Sequence, residues 1–147
     1  MKTTIIIGVA ALAAVLAAPP ARSTELTVTV NGIDKAEGQI CCALYGPDRE
    51  FLEPSAAIGW AWVGAAGASA ECRFSGIAGG SYAVAVFHDQ NGNRTNDANL
   101  FGIPTEPWGV SNNARPMFRA PTFEEAAVSV ADGETREIGV TIETTLP

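Results

Sequence analysis

The run "ELTVTVN" sets Leu26, Val28 and Val30 on one side of the chain and Thr27, Thr29 and Asn31 on the other. That two-residue period predicts a strand with one buried face. "GQICCALYG" repeats it, with Ile40, Cys42 and Leu44 in one phase and Cys41, Ala43 and Tyr45 in the other. "ECRFSGI" puts Cys72 and Phe74 in phase. "SYAVAVFHD" is apolar in both phases, Tyr82, Val84, Val86 and His88 against Ala83, Ala85, Phe87 and Asp89, which predicts a central strand covered on both faces. Ala127 to Val130 and the alternating Ile138, Val140 and Ile142, separated by Ala131-Asp132-Gly133-Glu134, predict a closing hairpin. Helical periodicity is missing apart from one turn at 48–52. The chain reads as all-β, most simply a single antiparallel two-sheet sandwich.

Two stretches break the alternation. Residues 46–68 hold "IGWAWVGAAGA", which contains at most a weak strand. Residues 90–122 are too long for a plain connection in a compact domain. Phe101, Ile103, Trp108, Met117, Phe118 and Phe123 give this stretch apolar material to bury, so it is expected to be one long ordered loop packed as a cap on an end of the sandwich.

The N-terminus changes the picture. Lys2 leads into the apolar run Ile5 to Leu16 and then into small residues and prolines, the layout of a secretory signal peptide. Scission after Ala17 or Ser23 fits; residues 1–23 are taken as the signal and 24–147 as the β-sandwich domain. The run is shorter than the roughly 20 residues a membrane span needs, and no second run follows. An exported protein, periplasmic or extracellular, with no membrane span in the mature chain is expected. Without Lys2 and Arg22, seven basic residues face sixteen acidic ones, a net charge of −9. With no Lys/Arg cluster to offset it, such a surface repels phosphate backbones, which argues against nucleic acid as a partner. Three cysteines in an exported chain predict one disulfide and one spare thiol. Opposed inward faces favour Cys42 with Cys72; a bulge would put Cys41 in place of Cys42. A single His and no CxxC pair argue against a thiolate zinc site.

The chemistry gathers in "FHDQNGNRTNDAN". Asp89, Asn91, Asn93 and Asp97 occupy positions 1, 3, 5 and 9 of a calcium-loop register, with the Thr95 carbonyl at position 7. A hard cation takes six to eight oxygens, and two carboxylates suit a weak Ca²⁺ loop at 89–97, in the roughly 10⁻⁴ to 10⁻³ M range. This is not an EF-hand: position 6 is Arg94 where Gly makes the turn, and position 12 is Leu100 where a Glu belongs. The competing reading is a self-bonded polar turn built on Asn91-Gly92. His88 and Asp89 are strand neighbours and point to opposite faces, and no G-x-S-x-G elbow exists. A small hydrolase using His88 with Asp89 or Ser111 is therefore the alternative to a non-enzymatic binding or structural module. Trp60 and Trp62 share a face, an arrangement that suits a sugar ring or a closed core edge. Ser111, Asn112, Asn113 and Arg115 form a polar knot that either adds ligands to the loop or satisfies its backbone.

"GGSYAVAVFHDQNGN", followed by "NLFGIPTEPWGVSNNARP" and "PTFEEAAVSV", resembles the secreted bacterial family catalogued as Domain of Unknown Function 2141. The likeness spans about 74–130, with HDxNxN, GIPxExxGxSNN and PxFxxA in order. It implies export and a small sandwich similar to immunoglobulin-like or prealbumin-like modules, and brings no activity with it. The family's polar cluster falls on His88, Asp89, Asn91, Asn93 and Asp97, with Ser111, Asn112 and Asn113. The chain departs from the family at Arg94, usually Gly. The resulting expectation is an exported module whose loop, ordered by its polar residues or by Ca²⁺, meets a cell-envelope protein or glycan.

Overall fold

The computed structural model describes residues 22–144, so most of the expected signal peptide lies outside the described residues. Two sheets pack face to face. One has the order β4 (Ser69–Ile77), β1 (Thr24–Asn31), β8 (Thr135–Thr141). The other runs β3 (Gly59–Gly64), β2 (Gln39–Tyr45), β5 (Gly80–Asp89), β6 (Trp108–Val110), with β7 (Val128–Val130) also on β5. The alternating positions do what their period requires: Leu26, Val28 and Val30 meet Ile40, Leu44, Val84, Val86 and Val140 between the sheets, all of them buried. Cys42 and Cys72 are bonded across that core, with their Cα atoms 6.4 Å apart, and Cys41 is the buried free thiol. The β-sandwich expected from the pattern is the fold observed, and the weak strand in "IGWAWVGAAGA" is β3.

Two expectations need correction. The last two strands form no hairpin. β7 pairs with β5, while β8 crosses to the other sheet and runs parallel to β1, with Val28 opposite Ile138. Alternation reports a buried face and is silent about the neighbour. The intervening turn is pinned to the β4–β5 connection and to β1 instead, Gly79 N donating to Asp132 and Gly133 N to Thr24 Oγ1.

The apolar residues of the long connection are also only partly buried. Trp108 and Phe123 pack with Val110, Ala126 and Phe51 over the outer face of β5, as a cap should. Leu100, Phe101, Met117 and Phe118 instead stand in solvent, at 101%, 87%, 78% and 99% relative exposure. The backbone of this segment is held by polar side chains, so its order does not depend on burying them.

Candidate functional site

The Asn-rich segment begins where β5 ends. β5 enters between β2 and β6, with His88 in phase with the core residues Val84 and Val86 and Asp89 on the outer face. β2 approaches this point closely: a Cβ on Gly38, whose φ is +71°, would lie 2.1 Å from the Asp89 carbonyl oxygen, so only glycine fits there.

Asp89 is completely buried, and its carboxylate organises the loop that covers it. Oδ1 accepts from Gly92 N at 2.8 Å and Asn93 N at 3.1 Å, and Oδ2 accepts from Arg94 N at 2.8 Å. Three main-chain donors converge on one buried charge, the charge-assisted arrangement that replaces water most effectively. Asp97 plays the matching part further along, accepting from Asn91 Nδ2 at 2.6 Å and from Asn93 Nδ2 at 2.9 and 3.0 Å. The oxygens of those amides accept Asn93 N and Thr95 N.

Glu106 completes the loop and was missed by sequence reasoning. It is 6% exposed, and its two oxygens accept from Gln90 N and Asp97 N, tying the start and middle of the loop to its return. Its signal was the Glu of "GIPTEPWGV", legible as a motif position but not as a role. Beyond Asp97 the chain makes a small closed turn: Ala98 bridges Pro104, Gly102 N donates to Asn99 O, and Asn99 Oδ1 accepts from Phe101 N and Ile103 N. Leu100 and Phe101 form the tip of that turn.

The polar positions taken as one set separate into three. Asp89, Asn91, Asn93 and Asp97 build the loop. His88 lies on the inner face, with Nε2 donating to Glu37 O at 2.7 Å and Nδ1 buried without a partner among the described residues. Ser111, Asn112 and Asn113 fasten the following segment: Ser111 Oγ accepts from Val84 N, Asn112 Nδ2 donates to Glu125 O and Ala127 O, and Asn113 Oδ1 accepts from Thr141 N. Asn112 and Asn113 take φ of 60° and 51°, left-handed positions that Asn tolerates well. His88, Asp89 and Ser111 each bond elsewhere, so the relay that a hydrolase needs is not formed among them.

Arg94 holds position 6 of the calcium-loop register, where a tight turn calls for Gly. Its φ is 62°, the left-handed turn required at position 6 of a calcium loop, and its guanidinium lies 5.5 Å from the Trp62 ring centroid. Trp62 in turn lies parallel to Trp60 and edge-on to Phe87. Among the described residues no three His, Cys, Asp or Glu side chains gather closely enough to hold a metal ion. A model of the bacterial family described as "uncharacterized protein conserved in bacteria (DUF2141)" matches residues 28–138. The chain belongs to DUF2141. No curated protein and no solved structure matches it. The DUF2141 match spans the loop, the Ser111 fastening and both disulfide cysteines, and it ends inside β8.

Proposed function

We propose that this DUF2141 protein is an exported, non-enzymatic binding module whose Asp89 loop presents the Leu100-Phe101 tip to a cell-envelope protein. The observation that carries the reading is the contrast within one loop: Asp89 and Glu106 accept from its backbone amides and Asp97 from its Asn side chains, while two large apolar side chains are held out on a closed turn. Turn tips are ordinarily polar, and a fixed pair of exposed apolar side chains is what a partner's pocket takes up. A glycan fits the tip less well, because its hydroxyl groups find no donor or acceptor on Leu100 or Phe101. Export is supported by the N-terminal pattern and by a disulfide, which persists in oxidising compartments.

The test is cross-linking in the producing cell from a photoreactive residue at position 101, compared with the same residue placed on β8. A discrete adduct from position 101 that disappears on Leu100→Ser supports the reading. Equal labelling from both positions, with no discrete adduct, would sink it.

A second reading is supported by Arg94: the left-handed turn of a calcium loop is present at position 6 although the residue is not glycine. Asp89, Asn91, Asn93, Asp97 and the Thr95 carbonyl would hold the ion, with both amides turned so that their oxygens face Asp97. Melting in EDTA and then in millimolar Ca²⁺, with Mg²⁺ as control, decides it. A native-state ligand at about tenfold its Kd stabilises by roughly 1.4 kcal/mol, so a millimolar site raises the midpoint visibly at ~10 mM Ca²⁺ and Asp97→Ala abolishes the rise. Superimposable curves exclude it.

A further inference from the structure

Among the described residues the sandwich has four sheet edges, and three of them carry the devices that stop strands from adding to one another. β4 places Glu71 and Arg73 side by side in an ion pair, β8 carries Arg136 and Glu137, and the β6/β7 edge is split into two strands of three residues each. β3 ends the second sheet and has none of these. No charged residue and no proline occurs from Ser55 to Ala70, β3 has no bulge in its register with β2, and its Trp60 is 43% exposed. Natural edges of this kind are rare because unpaired N–H and C=O groups are a template for another strand.

The polarity of that edge follows from the ladder. Ala65 N donates to Gly38 O, and bonded pairs alternate in an antiparallel ladder, so Ala61 and Val63 turn their amides toward β2. Trp60 and Trp62 turn theirs outward. We propose that this edge pairs with the same edge of a second copy, β3 antiparallel to β3, about a two-fold axis at Ala61. In that register the outward groups of Trp60 meet those of Trp62 in the other copy at both ends, which is the self-complementarity an isologous contact demands. The indoles, already parallel with centroids 6.3 Å apart within one chain, then continue as one aromatic row across the axis. The two four-strand paths merge into one continuous sheet.

A second copy is the fitting occupant because the strand is its own match in length and phase and carries no charge among its own residues, the nearby Arg94 being stacked on the Trp62 ring. One pair of six-residue strands buries less than the roughly 1,200 Å² of stable complexes, and two acidic molecules repel, so the dimer is weak and strengthens with salt. The inference is independent of what the Asp89 loop binds.

Sedimentation equilibrium of the oxidised protein from about 10 μM to about 1 mM in 0.15 M salt, with amide hydrogen exchange at both ends of the range, tests it. The dimer fraction rises with concentration, and the Trp60 and Trp62 amides slow by about tenfold or more while those of the β4 and β8 edges do not. Trp60→Lys places a charge on the edge and stays monomeric, still melting in one cooperative transition at the low concentration although it loses the stack on Trp62. A monomer throughout, a dimer in which those two amides exchange as before, or a Trp60→Lys protein that pairs as tightly as the original overturns the proposal. The exchange measurement stands even where the variant folds poorly, since it needs only the original chain.

Discussion

Cys41 follows, in the residue order of β2, a rule that its chemistry would otherwise break. It adjoins a disulfide half-cystine in sequence, and a thiolate so placed would attack the bond. The strand turns it to the opposite face, and burial there, with the charge of Asp89 adding, pushes its pKa up to about 12. The thiol stays protonated and unreactive. Tyr45, four residues on, is raised to about 12 as well, by burial first and then by Cys41 and Glu53. Both groups are acids that the fold keeps neutral. Their contribution to stability is whole below the unfolded-state values and is lost as pH rises from about 9 toward 12, because the unfolded chain ionises first. Urea midpoints are therefore expected to fall steadily above about pH 9, and Cys41→Ala to lessen the slope by up to 1.4 kcal/mol per pH unit, the limit for one group. A slope identical in the variant would show that the thiol titrates normally. Arg94 is a similar compromise. The left-handed backbone costs about 1–2 kcal/mol, and the stack on Trp62 returns about 0.5–1.

At the scale of elements, β5 poses a problem that a side chain solves. Its outer edge is shared by β6, opposite Ala85 to Phe87, and β7, opposite Gly80 to Tyr82. Between them the Val84 amide has no strand to bond, and Ser111 Oγ accepts it at 2.9 Å while donating to Ala126 O. Ser111→Ala leaves both main-chain groups buried and unpaired, and an equilibrium unfolding curve should show a loss of about 1–3 kcal/mol. A nucleophile would behave in the opposite way, losing turnover at unchanged stability. This splice explains where sequence reading stopped. The period of two in β1, β2, β4 and β5 revealed each strand and its inward face, and so selected Cys42 for the disulfide. It could not reveal partners, which is why β7 and β8 look like a hairpin on paper. β6 is three residues long, too short for any period. Asp89 was legible from its register with Asn91, Asn93 and Asp97, whereas Glu106 acts on main-chain amides nine and sixteen residues back and leaves no local pattern.

At the scale of the whole molecule, the disulfide joins the two sheets across a separation of 30 residues, worth about 3–4 kcal/mol of unfolded-chain entropy. Apolar residues in the 90–122 segment looked like core material, because hydropathy alone does not distinguish a side chain to be buried from one to be offered. The parallel pairing of β1 with β8 has a consequence for the order of assembly. The first strand of the sandwich lies between the fourth and the last, and its final neighbour lies more than a hundred residues further along the chain. A chain emerging N-terminus first can close the Cys42–Cys72 sheet pair early, yet it must wait with one side of β1 bare until the C-terminus arrives. Completion is therefore a late, single event, slow as long-range pairings are, and the interval before it is the period in which the half-built sandwich is most exposed to its neighbours.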